Sequence, residues 1–243
     1  DMLRPGEELV LRYTGDKRRS VYITGYAYPY ISRHVLYRAL PYLSYLTIFG
    51  YGFTEDGALI GIDDMPLIEV ARAFGAAPVL LLASITESGN FNSARASRLF
   101  NDAALQATVL DNVLDTMREK GYAGLDIDFE YIDPADREAF VAFVAAAVEK
   151  LSPYGYFVNT DLAPKTSAAQ SGLLYEAHDY AALGAASDTL FLMTYEWGYT
   201  YGPPLAVAPI DRVRRVVDYA VSEIAPAKLL LGIPNYGYDW QLP

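Results

Sequence analysis

The apolar positions of this chain gather into seven short runs: "VYITGYAY" (21–28), "YLSYLTIFGYGF" (42–53), "PVLLLASI" (78–85), "AGLDIDFEY" (123–131), "YFVNTDLA" (156–163), "DTLFLMTYEW" (188–197) and "KLLLGIPNYGY" (228–238). Most are nearly continuous rather than cleanly alternating, the pattern of parallel strands covered on both faces. Between them the spacing turns helical. After the fourth run, Asp133 is placed to cap a helix with Pro134 at its first position, and Phe140, Phe143, Val144, Ala147, Val148 and Leu151 form one stripe. Before that run, Leu110, Val113, Leu114 and Met117 form another stripe, closed by Gly121 as a C-terminal cap.

Strands alternating with helices predict a parallel α/β fold, and seven units are one short of a (β/α)8 TIM barrel. A doubly wound sheet is the structural competitor. The barrel is favoured because "GYAYPY" after the first strand is aromatic where a phosphate-binding loop would be Gly-rich, and because polar residues cluster at the C-terminal ends of several strands. The expected organisation is a linker or the tail of a preceding module over 1–18, followed by a catalytic barrel over 19–243. That barrel is expected to lack its eighth βα unit and so to expose an edge.

Composition narrows the function. The formal charge of −11 argues against nucleic acid or an anionic membrane surface as partner. No run of ~18 apolar residues exists to span a bilayer. The absence of cysteine excludes disulfides and thiolate chemistry and fits an extracellular enzyme. His34 and His178 lack ligand-like spacing, so no metal or cofactor is expected. The N-terminus shows no leader pattern, and Asp1 in place of methionine fits a processed or trimmed start. The 21 tyrosines offer flat apolar faces with one hydroxyl each, suited to stacking on sugars or bases as well as to filling core and rim.

The fourth run carries the chemistry. Asp126, Asp128 and Glu130 sit at every second position, with Leu125, Ile127 and Phe129 between them. A strand has period two, so the acids share one face, neighbours roughly 6–7 Å apart. In a barrel that face points inward, with Glu130 nearest the C-terminal mouth. Crowding and desolvation raise at least one carboxyl pKa, the requirement for a general acid. A Mg²⁺ or Ca²⁺ cluster and an internal acid network are the alternatives, and hard-oxygen metal sites usually collect ligands from separate elements. Tyr26, Phe53, Asn159, Asp161, Asn235 and Tyr236 lie near strand C-terminal ends and are further pocket candidates. Asn159 and Asn235 are favoured as sugar contacts, because a buried amide at a strand end needs partners.

"GLDIDFEY" resembles the DxxDxDxE signature of glycoside hydrolase family 18, the chitinase-type (β/α)8 enzymes. "GYAYPY", "GYGFTEDG", "LMTYEWGYTYGPP" and "GIPNYGYDW" are similar to that family's strand ends, and among its branches the strings look most like bacterial spore cortex-lytic N-acetylglucosaminidases. Lysin-motif domains often precede the barrel in that branch, and "LRPGEELVL" is similar to the tail of one. The resemblance implies that Glu130 protonates the glycosidic oxygen and that Asp128 orients the substrate's own 2-acetamido nucleophile. It implies that Asp126 tunes Asp128, that Tyr195 donates to the acetamido oxygen and that Met193 lies beneath the sugar. Tyr131 and Glu196 join the expected substrate contacts. The residue types suit the chemistry, since an acetamido nucleophile needs an acceptor, a donor and a protonated acid. Two positions depart from the pattern. Ala123 replaces the first Asp of the signature, on the opposite face by parity. Glu196 stands where many chitinases have Asp, which implies an altered substrate fit.

The function so implied is a retaining glycoside hydrolase that cleaves β-1,4 bonds of N-acetylglucosamine in peptidoglycan of the spore cortex. A chitin or chito-oligosaccharide hydrolase and a non-catalytic lectin on the same barrel are the alternatives. The implied location is extracellular, or the coat or cortex of a spore-forming bacterium. Family members usually carry a Trp on the eighth strand, and neither Trp197 nor Trp240 is that residue. The chain as given is therefore expected to bind weakly or be inactive.

Overall fold

A computed structural model describes residues 20–241, so the expected linker over 1–18 lies outside the described residues. The elements run β1 (Thr24–Ala27), α1 (Arg33–Ala39), β2 (Tyr45–Phe53), β3 (Leu59–Ile60), α2 (Met65–Ala73), β4 (Ala77–Ala83), α3 (Ser93–Asn101) and α4 (Ala103–Lys120). They continue β5 (Gly124–Asp128), α5 (Arg137–Leu151), β6 (Phe157–Leu162), α6 (Tyr180–Ala186), β7 (Thr189–Leu192), α7 (Ile210–Glu223) and β8 (Leu229–Leu231). Each of the seven apolar runs overlaps one parallel strand. The parallel order is β1-β2-β4-β5-β6-β7-β8, and the short β3 pairs antiparallel with β2 off this path.

The helix signals in the sequence are realised. In α4, the Asp102 side chain accepts from the amides of Ala104 and Leu105, each at 3.0 Å. At its other end Gly121 adopts φ 72° and donates its N–H to Met117 at 2.8 Å, a conformation glycine reaches without Cβ strain. Asp133 caps a 3₁₀ turn, Pro134–Asp136, instead of the α-helix itself; the turn then feeds α5. The stripe of α5 is buried at Phe140, Phe143, Val144, Ala147 and Leu151. Each of its larger members contributes about 2 kcal/mol by leaving water.

The sheet curls. Tyr26 on β1 packs against Phe191 on β7 with ring centroids 4.9 Å apart, and Tyr45 on β2 meets Phe157 on β6 at 5.2 Å. Strands that are distant in the sheet therefore face one another across an interior, and the fold is an incomplete (β/α)8 barrel whose sheet ends at β1 and β8. The register of β2 shifts between Ile48 and Tyr51. Because a one-residue irregularity inverts strand parity, Tyr51 and Phe53 turn outward into the helix-facing core although Tyr45 and Thr47 point inward. Phe53 is thus a fully buried core residue packed against Phe129, not the pocket residue expected from its place at a strand end.

Candidate active site

All five residues of β5 are buried. Leu125 and Ile127 join the core beneath the helices, and Asp126 and Asp128 turn to the interior at 1% and 5% exposure. The strand ends at Asp128, two residues earlier than the alternation implied, yet the alternation persists. Phe129 is driven outward into a cluster with Phe100, Phe140 and Phe143, which leaves half-buried Glu130 on the other side. Tyr131 then takes φ 54°, reversing the chain so that its ring stands at the mouth.

Asp126 is held from two other strands. Asn159 on β6 donates to its Oδ1 at 2.7 Å, and the Tyr26 hydroxyl donates to its Oδ2 at 2.8 Å. Asp161, two residues beyond Asn159, completes the cluster: its Oδ1 lies 3.1 Å from both the Tyr26 hydroxyl and the Asn159 amide. The Asn159 oxygen accepts from Thr189 at 2.8 Å. Both amide protons and the oxygen of Asn159 are therefore spent on the network, so it supports the acids from below and is not the sugar contact expected. The Tyr26 hydroxyl is likewise engaged by the acids.

Burial raises the carboxyl pKa of all four acids. For Asp126 the rise is opposed by hydrogen bonds from Asn159 and Tyr26. For Asp161 burial is reinforced by the charges of Asp126 and Asp128, which hold its carboxyl well above the usual range. For Asp128, after burial, the charges of Glu130 and Asp126 push it well up. Its Oδ1 is buried with no hydrogen-bond partner among the described residues. Glu130 is raised by burial and then by the charge of Glu196. Tyr195, past the end of β7, is raised first by burial and then by Asp161 and Asp128, so its hydroxyl stays a donor amid acids.

The mouth is a cleft of about 370 Å³ lined by Glu130, Tyr131, Met193, Tyr195, Glu196 and Trp197, among others. Glu196, at φ 64°, accepts from the hydroxyls of Tyr236 (3.1 Å) and Tyr238 (2.9 Å), and Tyr236 also packs on the Tyr195 ring. Asn235 is exposed, so the burial argument made for its amide does not apply. No three carboxylates or histidines among the described residues converge as a metal-ligand set.

Asp161, a pocket candidate by its place near a strand end, belongs to the acid cluster itself, and "NTD" on β6 repeats the two-residue spacing of the acids on β5. One feature escaped the sequence reading. Tyr28 and Tyr30 stack at 5.1 Å, and Tyr28 lies near enough to the acids that burial, Tyr30, Asp128 and Glu196 all raise its hydroxyl pKa. Its signal was the alternating aromatics of "GYAYPY".

The family model described as Glycosyl hydrolases family 18 matches residues 75–243. The cortical fragment-lytic enzyme of Bacillus subtilis (strain 168) is 38% identical over 205 residues, 84% of this chain and 47% of that enzyme. Among solved structures, the spore cortex-lytic enzyme SleL of Bacillus cereus superposes with a TM-score of 0.88 at 36% identity, covering 94% of this chain and 54% of SleL. A chitinase from Chromobacterium violaceum gives a TM-score of 0.82 at 25% identity, covering 90% of this chain and 70% of that one. The chain spans about half the length of the curated relatives it matches.

Proposed function

Because this chain belongs to glycosyl hydrolase family 18, we propose that it cleaves β-1,4 bonds of N-acetylglucosamine in peptidoglycan with retention, the substrate's 2-acetamido group acting as nucleophile. Glu130 gives its proton to the glycosidic oxygen. Asp128 accepts the acetamido N–H and aligns the group, and Tyr195 donates to the acetamido oxygen as it closes on the anomeric carbon. Glu130, now ionised, then takes a proton from the water that opens the oxazolinium ring. Asp126 and Asp161, tied together by Asn159 and Tyr26, lie beneath Asp128, and the Asp126 charge helps keep the Asp128 carboxyl raised.

One observation carries the reading: the Asp128 Oδ1, buried and without a partner beside Glu130 and Tyr195. A desolvated acceptor of that kind is costly unless a ligand donor fills it, and an acetamido N–H is such a donor. Peptidoglycan is preferred to chitin on the likeness to the cortical fragment-lytic enzyme and SleL, and the same likeness supports a spore-associated or extracellular location. The likeness to a chitinase keeps chito-oligosaccharides as the second substrate. The test incubates the protein at its full natural length with purified cortex peptidoglycan and with chito-oligosaccharides, and identifies the new reducing ends. Release from chitin alone overturns the peptidoglycan assignment; binding without release from either supports a lectin. Glu130→Gln should abolish turnover while saccharide binding persists, and unchanged turnover would refute the acid assignment.

A further inference from the structure

Beside the acidic cleft lies a pocket of opposite character. It holds about 470 Å³ between the loop that follows β6 and the first turns of α7, and it shares Pro164, Tyr175 and Trp197 with the cleft, so the two are neighbours across one wall. Arg212 and Arg215 line its far side, three apart on α7 and hence on one helix face. No carboxylate lines this pocket, whereas Glu130 and Glu196 line the cleft, in a chain of net charge −11. Arg212 has no ion pair among the described residues. Arg215 has only an exposed Asp211 at 3.7 Å, a pair worth little in water. The opposite wall is polar and built: Gln170 Oε1 accepts from the Thr166 amide at 2.8 Å and its hydroxyl at 3.1 Å, bracing the loop on itself.

Two guanidiniums free of strong partners, facing a hydroxyl-rich wall, match the geometry of a carboxylate, which arginine binds through paired N–H donors. The wall shared with the cleft at Trp197 and Tyr175 sets that carboxylate within reach of a saccharide strand whose bond lies at Glu130. We infer that the Arg212–Arg215 pocket is a subsite for a carboxylate carried by the glycan strand. The inference rests on the glycosidase reading above and adds to it a physical basis for choosing muramoyl-containing strands over chitin, which is neutral. Two sources of the carboxylate share this chemistry: the lactyl ether of the muramoyl sugar and the stem peptide attached to it.

The test compares the full-length protein with Arg212→Gln/Arg215→Gln and with Arg212→Lys/Arg215→Lys. The substrates are peptide-free glycan strands with lactyl carboxylates, the same strands with stem peptides, and chito-oligosaccharides of matched length. The readout is the ratio of kcat/KM for each carboxylate-bearing strand to that for the neutral one, at low and high salt. The glutamine pair should lower this ratio about tenfold through KM. The lysine pair should keep most of it, and added salt should narrow the difference. A full effect on peptide-free strands assigns the lactyl group, and an effect confined to peptide-bearing strands assigns the peptide. An unchanged ratio, or equal loss on the neutral substrate, overturns the inference. If the wild type hydrolyses no substrate, the glycosidase reading has failed by itself, and the same comparison made by binding calorimetry still decides the pocket.

Discussion

Replacing Asp161 with Asn should make this protein more stable at neutral pH, by an amount that grows with pH. Asp161 is 3% exposed and shares the interior with Asp126 and Asp128; burial and those two charges hold its carboxyl well above the usual range. An acid whose pKa is higher folded than unfolded contributes fully only below its unfolded value, near 3.9, and that contribution is lost as pH rises towards the folded value. The ceiling follows from linkage alone. A carboxyl that stays protonated in the fold at pH 7, against an unfolded value of about 3.9, costs about 4 kcal/mol at roughly 1.4 kcal/mol per pH unit. Asparagine keeps the shape: its oxygen can still accept from Asn159, and its amide can donate towards Asp126. The expected gain is therefore about 1–4 kcal/mol at pH 7, vanishing near pH 4. Urea denaturation of both proteins at several pH values between 4 and 7.5 measures it. A difference independent of pH, or a variant less stable at pH 7, would refute the upward shift of the Asp161 carboxyl. The gain fits a general trade, since sites that crowd like charges for chemistry sacrifice stability.

Three further outcomes follow from particular contacts. Asp64 is buried where α2, α4 and β2 meet and accepts from Lys120 at 2.6 Å and from the hydroxyls of Tyr51 and Tyr122; burial alone would raise its pKa, but these donors outweigh it and lower it. Asp64→Ala should cost about 3 kcal/mol by stranding these donors, a fall in Tm of about 6–12 °C by calorimetry. A Cβ at Gly232 would come within 2.4 Å of the Leu192 carbonyl oxygen, 2.8 Å of the Tyr195 ring and 3.1 Å of Phe191, so Gly232→Ala should shift the β7–β8 junction, displace the Tyr195 hydroxyl and lower turnover on the order of 10- to 100-fold. Full turnover in that variant would count against the role of Tyr195. His178 is buried neutral, its pKa pushed down to about 4 by burial and by Lys165. As pH falls from about 6.5 to 4 it should cost the fold about 3 kcal/mol, and His178→Gln should remove that acid-side slope in urea titrations.

The sequence alone determined what depends on neighbours along the chain. Seven apolar runs became seven parallel strands, Gly121 closed α4, and the two-residue period set Asp126, Asp128 and Glu130 against Leu125, Ile127 and Phe129. These are local consequences of backbone geometry, and they survive even where the strand stops at Asp128, because Phe129 still has a core to fill. The tertiary structure alone decided which distant residues meet. Tyr26 reaches Asp126 across 100 positions and Asp161 across 135, contacts made by the curl of the sheet and absent from any local pattern. A single register shift in β2 sent Phe53 to the core, and one network consumed the Asn159 amide. Strand parity says which way a side chain points; only the closing of the sheet says what it points at.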